Sequence, residues 1–91
     1  MLPPAAPTNL TASGTSGQVA LSWSASSGAT SYNVYEGATS GGESSTPIAT
    51  GVTAANYTVT GLTNGTAYYF KVAAVNAGGV SGFSNQATGT P

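Results

Sequence analysis

Apolar and polar residues alternate in short runs along this 91-residue chain, and nowhere does the pattern lengthen into a helical repeat. A period of two marks a strand with one face toward a core. Residues 8–13 place Leu10 and Ala12 on one parity, and residues 18–24 do the same with Val19, Leu21 and Trp23. Residues 30–36 turn Tyr32 and Val34 inward, residues 48–51 form a short edge strand, and residues 56–60 turn Tyr57 and Val59 inward. The clearest alternation lies within residues 62–76, where Tyr68, Phe70, Val72 and Ala74 oppose Tyr69, Lys71 and Ala73. A last strand covers about residues 84–90. Between the strands stand Gly-, Ser- and Asn-rich segments: a turn at 14–17, loops at 25–29 and 37–47, and a glycine-rich stretch at 77–82. Seven short strands at this spacing predict an all-β sandwich.

Within that frame Tyr68 has a specific expected role. It opens a strand directly after the turn-rich Leu62-Thr63-Asn64-Gly65, an arrangement that lets its hydroxyl bond back to the corner's backbone. Trp23, Tyr32, Val34, Leu62, Tyr68, Phe70 and Val72 are therefore expected to be structural residues. Tyr68→Phe should keep the fold and lose one hydrogen bond.

Composition narrows the chemistry. The chain has no cysteine, so neither a disulfide nor a thiolate metal site can form. It has no histidine, which removes the usual near-neutral general base and the commonest metal ligand. Only Glu36, Glu43 and Lys71 are charged, 3% of residues, against roughly 25% in an ordinary soluble domain. A formal net charge of −1 gives no electrostatic footprint for nucleic acid or an anionic membrane. No apolar run is long enough to span a bilayer as a helix, and the first residues lack the basic start and apolar stretch of a signal peptide. Low charge could suggest disorder, but patterned apolar positions and the bulk of Trp23 with five tyrosines argue for a packed core.

Residues 1–6 read as a proline-bearing linker at the start of an expressed fragment, and residues 7–91 as one domain. Prolines at both ends suggest a bead in a string of domains, with its termini at opposite poles.

The order of these features resembles a fibronectin type III domain over about residues 7–91. Pro7 with Leu10 is similar to the family's first-strand start, and Leu21-Ser22-Trp23 to its second-strand tryptophan. Tyr32-Asn33-Val34 matches the third strand. Leu62 followed by Tyr68-Tyr69-Phe70-Lys71-Val72-Ala73-Ala74-Val75-Asn76 matches the corner and sixth strand, and Gly79-Val80-Ser81 with Ser84 the close. The resemblance implies a seven-stranded immunoglobulin-like sandwich, three strands against four, with no disulfide. The loop 77–82 carries no Arg-Gly-Asp tripeptide, which argues against integrin-type adhesion. The uncharged Thr/Ser/Gly/Ala surface looks like that of bacterial members that serve as spacers in secreted chitinases, cellulases and related depolymerases.

Several constellations are candidate sites. Glu36 and Glu43 are the minimum pair for glycoside hydrolysis, but a small filled sandwich offers little pocket to raise the pKa of an acid. No histidine stands by to activate a serine, and Lys71 has outward parity. Glycines at 77–82 lack the helix start that a phosphate cradle needs, and Glu43 with hydroxyls falls short of calcium's six to eight oxygens. Tyr35 and Tyr69 have outward parity on strands expected to be neighbours. With Lys71, and Phe83 as a further ring, they make a candidate sugar-stacking face, whose bland counterpart is a cross-strand aromatic pair. Asn9, Asn56 and Asn64 head Asn-X-Thr triplets, glycan acceptors only in a eukaryotic secretory pathway.

The expectation is a non-catalytic, cofactor-free, monomeric spacer module of a secreted polysaccharide- or polymer-degrading protein. Its partners are the neighbouring domains of the same polypeptide. The alternatives are a weak carbohydrate- or protein-binding module and an engineered binding scaffold.

Overall fold

The computed structural model describes residues 2–38, 42 and 47–91. Glu43, and with it most of the 37–47 loop offered above for calcium, lies outside the described residues. The strands are β1 (Thr8–Thr15), β2 (Gln18–Ser24), β3 (Ser31–Gly37), β4 (Ala49–Val52), β5 (Asn56–Val59), β6 (Tyr68–Asn76), β7 (Gly79–Phe83) and β8 (Ala87–Gly89). Two antiparallel sheets pack face to face. One has the order β1-β2-β5, the other β4-β3-β6-β7, with β8 also paired to β6.

The alternating residues meet between the sheets. Leu10, Val19, Leu21, Trp23, Tyr32, Val34, Val59, Phe70, Val72, Ala74 and Ala87 form one buried cluster, against which Ala12, Tyr57, Leu62 and Tyr68 pack. Trp23 and Tyr32 touch edge to face across the core, centroids 5.3 Å apart at 67°, a favoured aromatic geometry. The Tyr32 hydroxyl also accepts the Ser26 N–H at 2.9 Å, pinning the β2–β3 loop.

Among the described residues eight strands stand where seven were expected, because the final strand is broken in two. Ser84 N–H donates to Val72 O at 2.8 Å as a ladder should, but Val72 N–H donates to the Ser84 hydroxyl instead of a carbonyl, at 2.9 Å. Ala74 N–H likewise goes to the Ser81 hydroxyl, at 2.8 Å, and the β6–β7 register slips between Ala73 and Val75. Side-chain oxygens substituting for carbonyls satisfy β6 while its partner bulges away. Pairing resumes at Phe70↔Ala87 and runs to Tyr68↔Gly89. The glycine-rich stretch expected as a loop is thus mostly strand, with its turn confined to residues 77–78.

At the β8 crossing a side chain is not tolerated. A Cβ on Gly89 would stand 2.6 Å from Val19 Cγ1. β8 therefore lies against β2's core face without a spacer.

The two ends of residues 62–76 organise the two poles. At one, Tyr68 OH accepts the Thr63 N–H at 3.0 Å, the expected corner bond. The Asn64 amide oxygen accepts Gly17 N–H at 2.7 Å, and Gly65 N–H donates to Pro91 O at 3.0 Å. At the other, the Asn76 amide nitrogen donates to Leu2 O at 3.0 Å and Gly28 O at 3.1 Å, while its oxygen accepts Gly78 N–H at 2.7 Å. The N-terminal strap and the C-terminal residue are thus held at opposite poles of a body 43 × 22 × 19 Å. Pro4 and Pro7 of the strap are buried.

Candidate functional site

The outer face of the five-stranded sheet carries the candidate aromatic residues. Antiparallel register places Tyr35 opposite Lys71, and Gly37 opposite Tyr69. Tyr35 and Tyr69 are therefore diagonal neighbours rather than a direct pair. The ring that Tyr35 meets is Phe83, edge to face with centroids 4.9 Å apart at 86°.

The reason lies in the strand between them. Ala73 faces outward, pairs with Asn33 on β3 and Phe83 on β7, and is fully buried. Its small side chain lets the rings from the two flanking strands close above it. This corrects the expectation that an outward tyrosine is an exposed one. Tyr35 is only 7% exposed, whereas Phe83 is 52% exposed. Lys71 Nζ stands 5.5 Å from the Phe83 centroid, within cation–π range. Tyr69 is half-buried. The surface offered to solvent is a Phe83 ring under a lysine, not a row of flat rings.

A second feature lies at the opposite lateral edge, between β4 and β5. A cleft of about 310 Å³ is lined by Glu36, Ile48, Tyr57, Val59, Thr60, Gly61 and Leu62. Glu36 closes β3 with the same parity as Tyr32 and Val34, so its side chain enters the inter-sheet space. Its Oε1 is buried and has no hydrogen-bond partner among the described residues. Desolvation by burial raises its pKa above the ordinary carboxyl value of 4.5.

The sequence places Glu36 at a strand end with the parity of Tyr32 and Val34, which is the position it takes here. The bonds that fasten the other edge left no such signal. At that edge the Asn85 amide accepts Leu10 N–H and donates to Leu10 O, each at 3.0 Å. One side chain thereby satisfies both backbone groups of a core residue.

Two of the three asparagines of the Asn-X-Thr triplets, Asn9 and Asn64, also have structural roles. Asn9 adopts a left-handed φ of 58° at the β1 register shift, and donates to Ser24 Oγ at 3.0 Å. Asn64 holds Gly17, as above.

Comparison with known proteins agrees with this architecture. The profile of the fibronectin type III domain matches residues 5–90. The chain is 38% identical over 97% of its length to an amylopullulanase of Thermoanaerobacterium thermosulfurigenes, of which it covers 5%. It is 42% identical over 96% of its length to tail tube protein gp17.1* of Bacillus phage SPP1, covering 31% of it. It is 41% identical over 93% of its length to chitinase A1 of Niallia circulans, covering 12% of it. The chain thus spans less than a third of each of these relatives, in which it corresponds to one module of a larger polypeptide. Among solved structures, an Fn3-like protein from Clostridium thermocellum superposes with a TM-score of 0.86 at 44% identity, over 96% of this chain and 92% of that one. The family is one of generally non-catalytic modules that in several relatives accompany bacterial glycoside hydrolases. This chain belongs to the fibronectin type III family.

Proposed function

We propose that the chain is a non-catalytic spacer of a secreted, multidomain, polymer-degrading protein, holding the domains before and after it apart along its long axis. The observation that carries this reading is the fastening of its two ends at opposite poles, through Asn76 to Leu2 and through Gly65 to Pro91. A module whose ends are bonded to its body transmits direction as well as distance, which a flexible linker cannot. The relatives support the same use, since hydrolases of two names and a phage tail tube protein share the module. What it contributes is then independent of any one chemistry. A polymer too large to enter a cell also favours work outside it.

The neighbouring domains of the same polypeptide are the partners in this reading, and the module itself acts as a monomer. The test is small-angle scattering on the parent protein with and without the module. Excision should shorten the distance between the flanking domains by about the module's 43 Å length and leave turnover of a short soluble substrate unchanged. Loss of that turnover on excision would overturn the reading.

Sugar stacking by Tyr35, Tyr69 and Lys71 remains the second reading, favoured by the exposed Phe83 ring beneath Lys71. Retention of the isolated chain on insoluble chitin or cellulose, abolished by Phe83→Ala, would establish it.

A further inference from the structure

The corner before β6 holds the one asparagine–glycine pair of the sequence, Asn64-Gly65; every other asparagine precedes a residue with a side chain. The backbone nitrogen after an asparagine lies one bond short of a five-membered ring with the side-chain carbon Cγ. A glycine nitrogen closes that ring most easily, because no Cβ shields its approach. Asn64 and Gly65 are both exposed, so water reaches the pair.

Two hydrogen bonds act on this pair in opposite senses. On the side-chain carbonyl, Gly17 N–H donates to Asn64 Oδ1 at 2.7 Å. Gly17 is itself held, its carbonyl accepting Leu62 N–H at 3.0 Å, so the donor is fixed on the oxygen where charge develops when Cγ is attacked. On the nucleophile, Gly65 N–H donates to Pro91 O at 3.0 Å. That bond gives the amide proton to a carbonyl rather than to water, and it keeps the peptide plane from turning its nitrogen toward Cγ. The first bond favours ring closure and the second opposes it.

Close backbone packing seats the opposing bond. A Cβ on Gly14 of β1 would overlap Thr90 O, and one on Gly89 would stand 2.6 Å from Val19 Cγ1. The last residues therefore lie where two glycines admit them. We propose that Asn64 is a site of spontaneous deamidation, gated by the docking of residues 89–91 on the corner. When Pro91 O leaves, Gly65 N attacks Asn64 Cγ. The N–Cγ bond forms, the Cγ–Nδ2 bond breaks, and Nδ2 departs as ammonia with the proton that Gly65 gives up. Water then opens the cyclic imide at either carbonyl, leaving an aspartate or an isoaspartate at position 64. The isoaspartate adds a methylene to the main chain, so Gly65 N–H no longer meets Pro91 O and the release becomes permanent. The rate follows the fraction of time for which the corner is open. This does not rest on the spacer reading, and either can fail without the other.

The test is incubation of the folded chain at mildly alkaline pH, with peptide mapping by mass spectrometry and labelling by an isoaspartyl methyltransferase. A synthetic peptide of residues 62–66 gives the ungated rate. The wild-type chain is expected to deamidate at Asn64 more slowly than the peptide. Gly14→Ala, which displaces Thr90 and Pro91, should speed Asn64 about fivefold or more, the effect of one lost hydrogen bond on a local opening. Asn76, bonded at the other pole, should keep its wild-type rate. Removal of Pro91 deletes the acceptor without touching the core and should do the same, which decides the matter if Gly14→Ala fails to fold.

A wild-type rate equal to that of the peptide, or an Asn64 rate unmoved by removal of Pro91, would overturn the gating. An Asn64 that stays intact in the unlocked chain while the peptide converts, or conversion without isoaspartate, would overturn the site and its imide route.

Discussion

The two lateral edges of this sandwich solve the same problem in opposite ways. Where β1 approaches β7 and β8, backbone groups that strand pairing leaves open are taken up by side chains. Asn85 bonds both polar groups of Leu10, and Ser84 and Ser81 accept the N–H groups of Val72 and Ala74. Where β4 approaches β5, a longer and charged side chain enters the gap, and one of its oxygens finds no partner among the described residues. The difference is one of reach and charge. A short neutral group can stand in for a carbonyl or an N–H at ladder distance, while a carboxylate brought into the same space needs a donor that the described residues do not provide. One edge is laced shut, and the other is left as a cleft.

Removing what both edges share should have the largest effect. Trp23→Ala takes the central ring from the core and should lower stability by about 3–5 kcal/mol, read as the shift in the urea midpoint. Both edges should lose amide protection together. If the β4/β5 edge kept its protection, the two edges would be separate units rather than rims of one core.

Cutting the laced edge comes next. Asn85→Ala leaves Leu10 N–H and C=O without partners and should lower stability by about 1–3 kcal/mol. Exchange of the Leu10 amide should accelerate while those of β5 do not. Wild-type exchange at Leu10 would mean that water replaces the asparagine freely.

Tyr68→Phe removes only the hydroxyl that holds Thr63 N–H at 3.0 Å. It should lower stability by about 1 kcal/mol with no change in fold, and an unchanged melting midpoint would show that the corner stands without it. This change acts at a pole, so both edges should respond equally.

The smallest effect should appear at the open edge and with opposite sign. The folded-state pKa of Glu36 is raised above its ordinary 4.5 by desolvation, so the folded chain holds that proton more tightly than the unfolded chain. Stability from this group is therefore full below the unfolded value and is lost as pH rises through the folded one. Glu36→Gln should raise the melting temperature at pH 7 and leave it unchanged near pH 3. A variant less stable at pH 7 would mean that the carboxylate has a donor after all.

Much of this was legible in the chain. The inward positions Leu10, Val19, Leu21, Trp23, Tyr32, Val34, Phe70, Val72 and Ala74 form the core, because alternation is a local property that a sheet preserves. The corner of Tyr68 was legible for the same reason, its donor being five residues away. Glu36 was half legible, since its parity pointed inward but nothing local said that no donor would meet it. The partner of Tyr35 was not legible, because a Tyr35–Phe83 contact depends on which strand lies between them and on that strand's having an alanine there. Nor was the bond from Asn85 to Leu10, which spans 75 residues.

By itself, then, the sequence determined the strands, their buried faces and the corner. Each depends on period, turn chemistry and neighbours a few residues apart. Only the tertiary structure decided which backbone groups side chains would adopt, which outward ring would be covered, and which edge would stay open. Those depend on register and on the meeting of distant strands, where a shift of one residue exchanges a buried position for an exposed one.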